Sequence, residues 1–163
     1  MLLGWVTNSY WETNFRAHQP GRVHARYRIQ PHVGGFDEPA AHQIGLDAAY
    51  DTPLIQQMGE TSDARALPPR GSLLSLPELP IQVLHVKPAA DGKGLIVRLL
   101  NASDEEQAAM IGSGQFRIQE AWACDPFESR AERLGIDGGS VATVIPPRGI
   151  AVIALDGSIS DGV

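Results

Sequence analysis

Cysteine, lysine and long apolar runs are scarce in this chain, and each scarcity excludes something. The single cysteine among 163 residues, Cys124, rules out an internal disulfide and any cysteine-built metal centre. It also suits a reducing, cytoplasmic compartment. Only two lysines occur, Lys87 and Lys93, and the net charge is −6. Nucleic acid is therefore not an expected partner, because neutralising phosphates requires clustered cations. The one apolar opening, Met1 to Val6, is too short to span a membrane and lacks the basic residues of a secretory signal. It reads as a strand entered abruptly, so the chain is expected to be a fragment of a longer protein. No Gly-x-Ser-x-Gly elbow and no phosphate-cradling glycine loop is present. Cys124, beside Trp122, is expected to be an inert thiol in a core strand.

With 43% hydrophobic and 20% charged residues, the composition is that of a globular chain. Its 17 glycines and 12 prolines fall between short apolar runs, the pattern of many strands and turns. Val23 to Ile29 alternates, with Val23, Ala25, Tyr27 and Ile29 on one face, predicting a half-buried antiparallel strand after the Gln19-Pro20-Gly21 turn. A helix is predicted from about Glu38 to Tyr50, capped by Asp37, with Pro39 in its first turn and Phe36 stapled to Ala41. Its narrow apolar stripe of Ala40, Ala41, Ile44 and Ala48 should lie on a sheet. Residues 59–80 are rich in helix breakers and prolines and read as a linker. Beyond it, Ile81–Val86, Leu95–Leu100, Phe116–Ala123, Val141–Ile145 and Ile150–Leu155 predict five or more strands. The fold class expected is all-β, an antiparallel β-sandwich with one short flanking helix. Its parts would be residues 1–58 (the end of a large sandwich plus the helix), the linker 59–80 and a terminal sandwich at 81–157.

Chemistry is thin. Asp125 and Glu128 in Asp-Pro-Phe-Glu are close enough to suggest a carboxylate pair, but the spacing fits a turn in which Asp125 accepts backbone N–H groups. Asp104-Glu105-Glu106 reads as a helix or turn start on a solvated surface. The histidines His18, His24, His32, His42 and His85 lack metal-ligand spacing. Asn101-Ala102-Ser103 is a formal glycosylation sequon, relevant only to a secreted eukaryotic chain.

One stretch is more specific. Asn8, Tyr10-Trp11, Thr13-Asn14-Phe15, Gln19-Pro20-Gly21 and Arg26-Tyr27 resemble the Asn-x-Tyr-Trp-x-Thr-Asn-Phe…Gln-x-Gly…Arg-Tyr segment of family 38 glycoside hydrolases. The later half is similar only in pattern, through strings such as Gly94 to Asn101. That family comprises retaining α-mannosidases whose zinc and nucleophile sit in a (β/α) barrel, ahead of all-β C-terminal domains. The resemblance implies a non-catalytic C-terminal β-domain that supports the barrel, with no catalytic or metal-binding residue here and zinc held in the missing catalytic domain. Tyr10, Trp11, Asn14 and Arg16 are the candidates for sugar binding or for the barrel interface, since aromatic faces stack on sugars while Asn and Arg bond hydroxyls. The expected partner is the barrel of the same enzyme, with mannosides and self-association through an uncovered apolar face as further possibilities. The alternative is a free-standing carbohydrate-binding β-sandwich module.

Overall fold

The computed structural model describes residues 4, 6, 18, 20–49 and 70–159. It divides into two compact units, Met1–Gly34 and Gly35–Val163. In the first, the predicted strand at Val23 to Ile29 does not form. Those residues do not take strand structure, and Val23, Tyr27 and Ile29 are exposed. Alternation alone cannot hold a strand, which needs a neighbouring ladder to satisfy its N–H and C=O groups.

The second unit opens with α1, Glu38–Ala49, within a residue of the predicted span. Asp37 caps it as expected: its Oδ1 accepts the backbone N–H of Ala40 at 3.1 Å. The staple does not form. Phe36 is 78% exposed and Ala41 faces solvent, because the covered stripe is Ala40, Ile44 and Ala48. Three of the four predicted stripe residues are thus partly covered, and the buried Gln82 side chain ties the helix start to the sheet by donating to the Pro39 carbonyl at 2.9 Å.

Among the described residues nine strands follow: β1 Leu74–Ser75, β2 Ile81–Pro88, β3 Leu95–Asn101, β4 Gln107–Ser113, β5 Phe116–Cys124, β6 Arg130–Leu134, β7 Ile136–Asp137, β8 Ser140–Ile145 and β9 Ile150–Ile159. The five runs expected from sequence are β2, β3, β5, β8 and β9. Pairing is antiparallel throughout, in a four-stranded sheet of order β1-β4-β8-β7 and a five-stranded sheet of order β2-β3-β9-β5-β6. Among the described residues the second unit is an all-β sandwich with one helix.

Between the sheets lies a core that includes Leu99, Ile111, Ile145, Ile153 and Leu155, each essentially without solvent contact. Each such side chain contributes about 1.5–3 kcal/mol on burial. Two turns show why the glycines sit where they do. Gly138 and Gly139, at φ 55° and 79°, make the two-residue reversal between Asp137 and Ser140, whose twist matches that of the flanking strands. Gly94, at φ 129°, opens β3 where a Cβ would overlap the Leu155 carbonyl oxygen.

Candidate functional site

Tyr10, Trp11, Asn14 and Arg16 lie outside the described residues. The other sequence candidates resolve into structural roles. Asp125 Oδ1 accepts the backbone N–H groups of Phe127 and Ser129 at 2.9 and 2.8 Å, the capped turn its spacing suggested. These bonds, that from Ser129 foremost, hold its carboxyl below the ordinary value. Asn101, fully buried, is unreachable in the folded chain. Its amide donates to the carbonyls of Glu105, Ile145 and Pro146, and its Oδ1 accepts from the Ser103 N–H and hydroxyl. The sequon is thus a loop anchor. All five histidines are exposed. Among the described residues, no three His, Cys, Asp or Glu side chains converge as metal ligands would, so the described donor set does not fit zinc.

What the fold does assemble is a cleft on the outer face of the five-stranded sheet. Alternation sends Val97, Leu99, Ile153 and Leu155 into the core and Ile96, Arg98, Val152 and Ala154 outward. Register then aligns Ile96, Ala154 and Trp122 across β3, β9 and β5. This outward row is itself buried at Ile96 and Ala154, each 2% exposed, within a second small apolar cluster. Ala89 to Asp91 from the β2–β3 turn and Phe127 to Arg130 from the β5–β6 turn line the cleft above Ile96 and Ala154, enclosing ≈ 460 Å³ with the open mouth included.

Ion pairs fix those turns. Glu128 accepts from Lys87 Nζ at 2.7 and 2.8 Å and from Arg98 Nη2 at 2.9 Å. The Lys87 hydrogen bond is the main reason its carboxyl titrates below the ordinary range. Arg130 grips Asp156 with both terminal nitrogens at 2.6 and 2.7 Å and reaches Asp91 at 3.3 Å. It lies 5.9 Å from the Trp122 ring centre, in cation–π range. Asp156 pushes the Arg130 pKa upward, so the guanidinium stays charged. Cys124 is half-buried on the outer-face cluster and not in the core as expected, and burial raises its thiol pKa. Two buried donors on this face, Arg98 Nε and Trp122 Nε1, have no partner among the described residues.

A separate knot ties the helix to the sandwich. Arg148 donates to Glu38 at 2.6 Å and to Asp104 at 2.8 Å, and its Nη1 donates to the Ala102 carbonyl at 3.0 Å. Asp104 thus belongs to a turn, and both carboxyls are held below their ordinary values chiefly by hydrogen bonds from Arg148.

Sequence reasoning missed the cleft. Lys87 and Arg98 lie 41 and 30 residues from Glu128 in the chain. The usable signal was the Asp-Pro-Phe-Glu turn, which leaves Phe127 with no inward position to occupy.

No curated protein and no solved structure matches the chain. A family model does match, over residues 80–151: the glycosyl hydrolases family 38 C-terminal beta sandwich domain. The match begins at Pro80, just before β2, and ends in β9, so it spans strands of both sheets. It falls on the half of the chain that resembles the family only in pattern, and leaves the Tyr10-Trp11 segment outside. Residues 80–151 are accordingly similar to the family 38 glycosyl hydrolase C-terminal beta sandwich domain.

Proposed function

We propose that the chain is a non-catalytic C-terminal β-domain of a zinc-dependent, retaining α-mannosidase-like glycosidase of the cytoplasm, and that it supports the catalytic barrel. The observation that carries this reading is the family 38 match, which names a C-terminal sandwich. The fate of the carboxylates agrees with it. Asp104, Asp125, Glu128 and Asp156 are each committed to a turn or an ion pair, which leaves none of them poised as nucleophile or proton donor. Among the described residues no helix is long and apolar enough to cross a membrane.

Supporting a barrel requires a surface that is costly to leave in water. On the four-stranded sheet, the outward pairs Ala108–Val144 and Met110–Ala142 are exposed, with Val144 at 58% and Met110 at 61%. This bare apolar face is the one we assign to the barrel, and in the isolated chain it promotes self-association at high concentration. The test has two arms. The purified chain, supplied with zinc, should release no nitrophenol from an aryl α-mannoside. Co-expressed with the barrel of its parent enzyme, it should co-elute, and Met110→Lys with Val144→Lys should abolish co-elution. Hydrolysis by the chain alone, or co-elution indifferent to both lysines, would defeat the reading.

A second reading, carbohydrate binding, is favoured by one observation: an aromatic ring, Phe127, stands 90% exposed beside the cleft.

A further inference from the structure

From the geometry of the cleft on the five-stranded sheet, we infer a binding site for a single neutral sugar ring, stacked on Phe127 and hydrogen-bonded by Asp91 and Arg130.

Charge decides the class of ligand. Lys87, Arg98 and Arg130 stand against Glu128, Asp156 and Asp91, and every one of these groups is paired at 2.6 to 3.3 Å. The charges cancel. A phosphate, a carboxylate or a metal cation would find no excess of opposite charge and would have to break an existing pair to enter. A neutral ligand pays no such penalty. It still meets strong hydrogen-bonding groups, because bonds to ionised partners exceed neutral ones in strength. Asp91 is the most available of these: its side chain is 48% exposed, and the bond it accepts from Arg130 is long, at 3.3 Å.

Shape narrows the class further. The comparable cavity volume, ≈ 180 Å³, lies below the roughly 300–1,000 Å³ typical of drug-sized sites, so the cleft takes one small ring and not a chain of them. Its floor is apolar, from Ile96, Ala154 and Ala89, and its polar groups come from the two turns above that floor. The ligand must therefore have an apolar face and a hydroxylated edge. A pyranose has both: its C–H face suits an aromatic ring and its hydroxyls suit a carboxylate and a guanidinium.

Phe127 is also held in place before any ligand arrives. Its own N–H is bonded to Asp125 Oδ1, the Glu128 N–H is bonded to the Asp125 carbonyl, and Glu128 takes a left-handed φ of 73° while pinned by two cations. The backbone that carries the ring is set beforehand, so binding has to order only the Phe127 side chain. Choosing a saccharide among neutral hydroxylated compounds rests on the glycosidase reading above; the site itself rests on the cleft.

Titration of the ¹⁵N-labelled full chain with methyl α-mannoside, followed by amide shifts, tests the inference. Saturable shifts confined to Ala89–Asp91 and Phe127–Arg130 are expected. Phe127→Ala, at an exposed position, should leave the rest of the spectrum unchanged and weaken binding by roughly tenfold or more. Asp91→Ala should weaken it comparably. No saturable shift with methyl α-mannoside, methyl α-glucoside or methyl β-galactoside would overturn the site, as would unchanged affinity in Phe127→Ala. Glucuronate binding better than every neutral glycoside would overturn the charge argument, and sorbitol binding as well as the glycosides would overturn the saccharide class. Failure here with barrel co-elution intact removes only the sugar site; loss of co-elution with sugar binding intact removes only the supporting role.

Discussion

On the five-stranded sheet, the outward residues Ile96 and Ala154 lie under two turns and are 2% exposed. On the four-stranded sheet, the outward pairs Ala108–Val144 and Met110–Ala142 lie open to water. Both sheets obey the same alternation, and both inner faces fill one core. The difference arises in the connections. Asp125 to Ser129 is a turn tied back to β2 and β3 through Glu128, whereas the Gly138–Gly139 reversal is too short to fold over anything. A sheet face becomes a covered cleft when charged loops roof it, and it stays open to water when they do not.

The sharpest way to break the comparison is to lift the roof. Gly94→Ala places a Cβ against the Leu155 carbonyl oxygen at a φ of 129° that L residues rarely adopt. It should displace the β2–β3 turn and cost about 3–5 kcal/mol, with lining residues Ala89 to Asp91 carried along. Denaturant unfolding measures the cost. A loss below about 1 kcal/mol would mean that β3 can slide and that the roof is not rigidly set.

A paired substitution sharpens it further. Ile96→Ala and Met110→Ala both truncate an outward-facing apolar side chain. The first should cost about 2–3 kcal/mol, because its surroundings are packed and cannot collapse fully. The second should stay within about 0.5 kcal/mol, because Met110 is 61% exposed. Equal costs would show that the outer faces do not differ in packing.

How much of this was legible in the sequence depended on the range of each interaction. The Asp125 turn and the Asp37 cap were readable because their bonds span only two to four residues. β2, β3 and β9 were readable from their apolar runs. β4 was missed: Gln-Ala-Ala-Met-Ile-Gly-Ser has no strong strand former except Ile111, and its pairing with β8 is what makes it a strand. β6, Arg-Ala-Glu-Arg-Leu, reads as a solvated helix turn and is an edge strand only because β5 presents an open ladder. The alternation at Val23 to Ile29 misled in the opposite sense: no strand forms there, and Val23, Tyr27 and Ile29 stay exposed. The cleft was invisible because its ion pairs join residues 26 to 41 apart, a distance no local pattern encodes.

The smallest effect concerns acid. Glu128 titrates below its ordinary value of 4.5 in the folded chain, first because of its hydrogen bond with Lys87 and then through the charges of Lys87 and Arg98. In the window between the folded and ordinary values, the unfolded chain therefore binds more protons than the folded one, and stability rises with pH. The contribution is complete above 4.5 and disappears as pH falls through the lower folded value. Glu128→Gln removes it at every pH. Thermal melts of wild type and Glu128→Gln should thus differ by a constant amount near neutrality, and the gap should close well below pH 4.5. Added salt should narrow the neutral-pH gap as well, because the pair is partly open to solvent. The bare face carries no such latch, so Met110→Ala should shift the melt equally at both pH values. A gap for Glu128→Gln that persists undiminished in acid would mean the turn over the cleft is held by packing around Phe127 and Ala89, not by the ion pairs beneath it.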